Sequence, residues 1–338
     1  MKRAGVFVGL MLLALLALVS GVWTTLLLLY TGPQSNGLNT ALAAIAAMIS
    51  LLTLAALFVL RWRWRMLSAH LFLFVLALAW WATIAPSNNR EWQPDVEKLP
   101  HATLNGDSVT VHNIRNFDYR SETDYTPAWY DKQFDLRKLE GMDLVAVYWM
   151  GPAIAHVFVS FAFSGGDHLA ISIETRKEKG EDYSTLKGFF RQYELYYVVA
   201  DERDVIRLRT NYRNNPPEDV YVFRLQGGTL ENARRVFVDY FNKINRLKSK
   251  PEFYNTLTTN CTTNIWFHTK VSSKQLPFSW KILASGYVPE YVYESGLMDN
   301  RVPFADLQRS AHVNQRAQAA DTAEDFSQRI RTISPSTR

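Results

Sequence analysis

The 338-residue chain is 48% apolar, yet its mean hydropathy of -0.13 excludes a protein embedded in a membrane along its whole length. The net charge of +5 is modest and compatible with anionic lipid headgroups. The single cysteine, Cys261, excludes an internal disulfide, and no run shows metal-ligand spacing or a Gly-rich phosphate loop, so no metal or cofactor is expected.

The apolar residues concentrate at the N-terminus. Residues 6–30 are long enough to span a bilayer. Lys2 and Arg3 precede them as in a signal peptide, but no polar cleavage region follows a short apolar core, and the segment reads as a retained anchor. The turn-rich break Gly32 to Gly37 leads to a second span over 38–60. Arg61, Arg63 and Arg65, interleaved with Trp62 and Trp64, separate it from a third over 67–84. Next to two apolar spans, that cluster reads as a membrane-surface anchor and not a nucleic-acid patch. Under the positive-inside rule it shares the cytoplasm with Lys2 and Arg3, and an odd number of spans exports the remainder. Trp80 and Trp81 fall at the outer interface, and His70 near the cytoplasmic end of span three reads as structural.

Composition turns polar after Pro86. Residues 1–86 read as the anchor, 87–107 as a linker, 108–312 as one sizeable α+β domain and 313–338 as a polar tail, helical over 319–330. Strands are expected over 108–113, 142–148, 195–199, 204–209 and 219–225, with a short helix ending at Phe190. A further helix begins at Thr229, whose hydroxyl caps it. Ala233, Val236, Phe237, Tyr240, Phe241 and Ile244 then recur at helical spacing as a core stripe.

Two stretches carry chemistry. Residues 155–163 and 168–174 flank Gly165-Gly166-Asp167 as a β-hairpin, with odd positions large and apolar, and even ones mostly small or polar on a face kept clear. A three-residue loop pairs Ser164 with His168 and Phe158 with Glu174, which puts Glu174 diagonal to His156 on the same face. Asn260 is a good N-cap for a helix over 262–270, so Cys261 sits in the positive end of the helix field and its thiolate is favoured. Cys261, His156 and Glu174 have the chemistry of a thiol, base and orienter triad, with Ser172 or Asn260 as alternative third members.

The stretches 154–161, 172–178, 188–195, 200–204 and 253–263 resemble the periplasmic domain of the Lnb-type bacterial lipoprotein N-acyltransferases, in order over roughly 108–289. That resemblance implies a permuted papain-like (NlpC/P60-like) fold, with the His strand ahead of the Cys helix. It implies Cys261 and His156 as the catalytic pair with Glu174 as acidic partner, and Tyr254 as site support. It also implies an enzyme of the bacterial inner membrane with its domain in the periplasm. The acyl donor would be a phospholipid or lipoprotein glyceride and the acceptor the terminal modified cysteine of a lipoprotein. Arg176 and Arg191 are candidates for phosphate contact, against structural ion pairing with Glu194 or Glu202. The aromatic segment 276–307 is a candidate wall for an acyl groove. The same thiol and imidazole would also serve a membrane-tethered cysteine peptidase or amidase acting on cell-wall peptide, and a non-catalytic envelope assembly factor would retain the fold without the reaction.

Overall fold

The computed structural model describes residues 2–31, 36–59, 61–273 and 275–332, in two compact units. The Gly32 to Ser35 part of the first expected turn, the Leu60 end of the second span and residues 333–338 lie outside the described residues, as do the side chains of Lys2 and Arg3.

The first unit comprises residues 1–87 with 184–192. Its helices α1 (Lys2–Thr31), α2 (Asn36–Ala56) and α3 (Arg63–Thr83) are each long and apolar enough to cross a membrane. The second and third spans end and begin four residues earlier than the hydropathy suggests. Hydroxyls within the helices are satisfied locally, as in Thr24 to the Ser20 carbonyl at 2.8 Å and Ser50 to that of Ala46 at 2.8 Å. Gly21 permits close approach of α1 and α2, because a Cβ there would lie 2.5 Å from the Ser50 Oγ. His70 joins all three helices, with Nε2 2.8 Å from the Ser20 hydroxyl and Nδ1 3.4 Å from that of Ser50. Residues 184–192 form only a 3₁₀ turn, Lys187–Phe189, in place of the expected helix. They bring Phe190 against Leu27 and Ala77.

The second unit comprises residues 88–183 and 193–338. Its strands are β1 (His101–Asn105), β2 (Ser108–Arg115), β3 (Asp118–Tyr119), β4 (Tyr125–Thr126), β5 (Trp129–Asp135), β6 (Leu139–Tyr148), β7 (Ala155–Phe163), β8 (His168–Arg176), β9 (Glu194–Ala200) and β10 (Asp219–Leu225). The main sheet is mixed and runs β1-β2-β9-β8-β7-β6-β10, with β5 also on β2; β2 meets β9 in parallel and the other pairs are antiparallel. The helices are α4 (Glu202–Arg207), α5 (Leu230–Ser249), α6 (Cys261–Thr269), α7 (Val288–Glu294), α8 (Phe304–Ala311), α9 (Asn314–Ala319) and α10 (Phe326–Arg329). The architecture is α+β. Residues 87–107, expected to be a linker, contain β1 and a buried Trp92 whose indole donates to the Asn88 carbonyl.

Both faces of the sheet are covered. The odd residues of β7 and β8 pack with Phe237, Tyr240 and Phe241 of α5, as the stripe predicts. The even face, expected to be clear, packs Phe158 and Ala170 under Val205 and Ile206 of α4 and under Ala317, Phe326 and Ile330 of the C-terminal segment. Residues 313–332 of the tail therefore form a second helical layer. Residues 204–209, expected as a strand, belong to α4 and a π-helical turn, Leu208–Tyr212. Asp201 in the N-cap position, with Glu202 and Asp204 in the first turn, opens that helix, and acidic residues there complement the helix dipole. The buried Asp204 carboxylate accepts from the Arg115 guanidinium at 2.7 Å and from the Phe117 N–H at 2.7 Å.

Candidate active site

Helix α6 begins where its capping signals place it. The Asn260 Oδ1 accepts from the Thr263 N–H at 2.9 Å and the Thr263 hydroxyl accepts from the Asn260 N–H at 3.0 Å, closing a capping box around Cys261. The Asn260 Nδ2 donates to the Thr256 carbonyl at 2.8 Å. Asn260 is thus committed to the helix start and does not orient His156.

His156 opens β7 opposite Val147 of β6. The hairpin pairs Ala162 with His168 and Val159 with Ile171, two residues out of the expected register. Gly165 and Gly166 both take positive φ, and the Phe163 N–H closes the turn on the Asp167 carbonyl at 2.8 Å, which lengthens the loop. Extending this register sets Glu174 directly across from His156. The shift is even, so the two still share a face.

The contacts follow. His156 Nε2 lies 2.7 Å from the Ser172 hydroxyl and 3.0 Å from Glu174 Oε1, and the Ser172 hydroxyl donates to the same oxygen at 2.7 Å. With its proton spent on Glu174, the Ser172 oxygen accepts from Nε2–H. That leaves Nδ1 for the Cys261 thiol, which is within hydrogen-bond reach of the ring. The β7–β8 ladder stops at Val159, and beyond it the backbone N–H of Val157 is directed at the sulfur.

Electrostatics couples these groups. Burial pushes the His156 imidazole down and Arg209 adds to that, but Glu174 and the Cys261 hydrogen bond raise it to about 9. Burial pushes the Glu174 carboxyl up, and the charge and hydrogen bond of His156 outweigh it and hold the group well below the usual carboxylate range. Burial likewise raises the Cys261 thiol, but the His156 hydrogen bond and charge and the Val157 N–H bring it below its ordinary value. The arrangement favours thiolate with imidazolium, the form that attacks an acyl carbon.

Sequence reasoning missed the support behind Glu174. Arg209, nearly buried, donates to Glu174 Oε1 at 3.1 Å and to Glu218 Oε2 at 3.4 Å, and Arg213 pairs with Glu218 and with Glu122. Reading 204–209 as a strand hid it; the acidic run Asp201, Glu202, Asp204 was the helix-start signal that would have found it. These groups line a cleft of about 540 Å³ with His156, Ser172, Lys177 and Tyr254. Burial, and then the charge of Cys261, push the Tyr254 hydroxyl up, and it hydrogen-bonds Tyr183.

Of the two arginines offered for phosphate, Arg176 is not brought to this site. Arg176 is buried, donates to the carbonyls of Val96 and Glu97 at 3.0 and 2.7 Å, and stacks 4.2 Å from the Trp92 ring. Arg191 belongs to the first unit, where it donates to the carbonyls of Trp81 and Ile84 at 2.8 and 3.1 Å and stacks 3.9 Å from Trp81. A guanidinium there complements the carbonyl end of α3. Asp143, His168 and Glu202 bring metal-ligand atoms within 4.8 Å of one another, but Arg331 donates to both carboxylates, at 2.6 and 2.5 Å, and fills that role with a cation of the chain itself.

A mixed-sheet domain with an imidazole near the start of an interior strand and a thiol at the start of a helix, carried by a chain with three apolar helices, defines the class. Residues 125–286, just under half of the chain, match the family described as the Lnb N-terminal periplasmic domain. The resemblance to Lnb-type lipoprotein N-acyltransferases is thereby shown over a stretch that contains His156, Glu174 and Cys261. With the three apolar helices, it marks a membrane protein with a periplasmic domain. No curated protein and no solved structure matches the chain.

Proposed function

We propose that the protein is a thiol acyltransferase that N-acylates the terminal modified cysteine of bacterial lipoproteins through a Cys261 thioester. The observation that carries this reading is the Cys261, His156 and Glu174 array within the matched family stretch. Domain 108–312 acts as a permuted papain-like unit, with His156 as base, Glu174 as orienter and Ser172 as the bridge between them. Three transmembrane helices hold it at the inner membrane with the domain in the periplasm, which confines enzyme and lipid substrates to two dimensions.

The Cys261 thiolate attacks the carbonyl carbon of an acyl ester. The C–O bond breaks, and the alcohol leaves with the proton of the His156 imidazolium. The acceptor amine then attacks the thioester, the C–S bond breaks, and the neutral imidazole takes the proton that the nitrogen loses. The backbone N–H of Cys261, in the first turn of α6, is an oxyanion donor. The donor is a membrane phospholipid or a lipoprotein glyceride, and the acceptor a diacylated or apolipoprotein.

The polarity of the cleft, with Glu122, Lys177, Arg209, Arg213 and Glu218 along its walls, favours a second reading, an amidase or peptidase acting on polar cell-wall peptide. Intact mass spectrometry separates the two. Wild type and Cys261→Ser are exposed to phospholipid vesicles or diacylated lipoprotein, then to neutral hydroxylamine. The acyltransferase gains a fatty-acyl mass that the serine variant lacks and hydroxylamine removes. No increment from either donor on a folded protein with an accessible thiol refutes the acyltransferase reading.

A further inference from the structure

The face of the second unit beside the nucleophile is apolar where a water-facing surface should not be. Phe267 on α6 is 48% exposed, and Phe278, Trp280 and Leu283 in the segment that follows are 55%, 60% and 45% exposed. Scattered single exposed apolar residues are ordinary; four large ones on adjoining segments are not. They are held there by buried contacts. Trp266 of α6 donates to the Leu276 carbonyl at 2.8 Å and meets the Phe278 ring edge-on at 5.4 Å. The Thr262 hydroxyl, one residue from Cys261, donates to the Ile282 carbonyl at 2.6 Å. The patch is thus fixed to the first turn of the helix that carries the thiol.

The segments that carry it bring only cations of their own. Residues 253–289 contain Lys270, Lys274 and Lys281 and no aspartate or glutamate. Lys281 is paired with Glu290 and Glu294 from α7, whereas the Lys270 ammonium lies over the Trp266 and Phe267 rings at 4.0 and 4.6 Å. Aromatic rings with the Lys270 ammonium at their margin are the composition of a bilayer interface, where rings sit at headgroup depth and cations attract anionic lipid.

We propose that Phe267, Phe278, Trp280 and Leu283 form a docking surface that seats this unit on an anionic phospholipid bilayer, so that the Cys261 end of α6 opens at headgroup depth. It rests on the reading of the N-terminal helices as membrane spans, and it holds for either chemistry at Cys261. A substrate ester at the headgroup boundary would then reach the thiol without leaving the bilayer.

Because Cys261 is the sole cysteine, nitroxide labels can be placed singly in the full-length Cys261→Ser protein at Phe278→Cys, Trp280→Cys and Leu283→Cys. Ser121→Cys in the β3–β4 hairpin is an aqueous control, and Leu16→Cys in α1 a lipid control. The proteins are reconstituted into vesicles of phosphatidylcholine with 30% phosphatidylglycerol, a composition set by the experiment and sufficient for roughly −30 mV or more of surface potential. Collision with oxygen relative to a water-soluble nickel chelate is then read by electron paramagnetic resonance. The expected ratio at 278, 280 and 283 is several-fold above that at 121, and falls in pure phosphatidylcholine. Aqueous ratios at all three overturn the proposal. Position 16 then reports whether the membrane reading falls with it. Low collision with both reagents points to a protein partner or a second copy, and also overturns it. Lipid-like ratios unaffected by phosphatidylglycerol overturn the charge argument.

Discussion

Replacing Glu174 by Gln preserves the shape of the side chain and removes the largest upward influence on His156. The rise of that imidazole from 6.5 to about 9 corresponds to roughly 3 kcal/mol of stabilisation of the imidazolium. In Glu174→Gln, burial and Arg209 remain and push His156 down against the Cys261 hydrogen bond alone, so the imidazole falls from about 9 and the imidazolium is depleted at pH 7. The Cys261 thiol then loses its charged partner. At an ordinary thiol pKa of about 8.5, only about 3% is thiolate at pH 7. A more basic thiolate is intrinsically more nucleophilic, which offsets part of the loss, so alkylation by iodoacetamide at pH 7 should slow about 10-fold. Because Cys261 is the only cysteine, intact mass reads its alkylation directly at each pH, without a substrate. Wild type should hold a plateau through neutral pH up to about 9, where the imidazolium deprotonates. The variant should lack that plateau. An unchanged pH profile refutes the coupling of Glu174 to the thiol through His156.

The same shifts set stability against pH. His156, raised in the folded state, contributes stability that is complete below its ordinary value and lost as pH rises through about 9; Glu174, lowered, contributes above its ordinary value and loses it as pH falls. The Tm deficit of Glu174→Gln should therefore be largest between about pH 5 and 6.5 and shrink above about pH 9; a deficit independent of pH contradicts this. Arg209→Met removes a charge that lowers His156, so the alkaline edge of the alkylation profile should move above about 9, and a downward move would show that misplacement of Glu174 dominates. Arg331→Ala leaves Asp143 and Glu202 buried without their shared cation and should cost about 3–5 kcal/mol by denaturant unfolding at pH 7. Burial raises the Glu202 carboxyl, but Arg331 brings it down to about 2, so that cost should diminish as pH falls toward this value. Gly286→Ala would set a Cβ 2.0 Å from the Pro152 carbonyl oxygen. The Ser285 hydroxyl and Gly286 N–H hold Ala155 and Ala153 at 2.9 and 3.0 Å, just before His156, so stability should drop by about 1–3 kcal/mol and Cys261 alkylation at pH 7 should slow. An alanine variant as stable as wild type refutes that packing.

Periodic and capping signals were sufficient where the determinant is local. Asn260 specifies the start of α6 because its side chain bonds within its own turn, and Thr229 starts α5 through the Asn232 N–H at 3.1 Å for the same reason. The three apolar helices follow from the need to satisfy backbone groups without water, which any sufficiently long apolar run meets as a helix. The parity of the β7–β8 hairpin was legible as well. Alternating side chains demand an even register sum, and this puts Glu174 and His156 on one face even though the loop is two residues longer than the sequence suggests.

What lies behind Glu174 was decided by tertiary structure. Arg209 reaches that carboxylate because α4 and the following π turn lie on the sheet, and no local pattern tells a guanidinium which of several acids it will meet. The even face of β7 looked clear from its small and polar residues, yet Phe326 and Ile330, more than 150 residues away in sequence, cover it. Arg176 and Arg191 carried the composition of phosphate ligands and became clamps on backbone carbonyls instead. Cys261 could be recognised from one turn of helix, but its activation is a long-range property. Its pKa depends on a base from β7, an acid from β8 and a cation beyond α4, assembled in a low-dielectric interior that exists only once the sheet is covered on both faces.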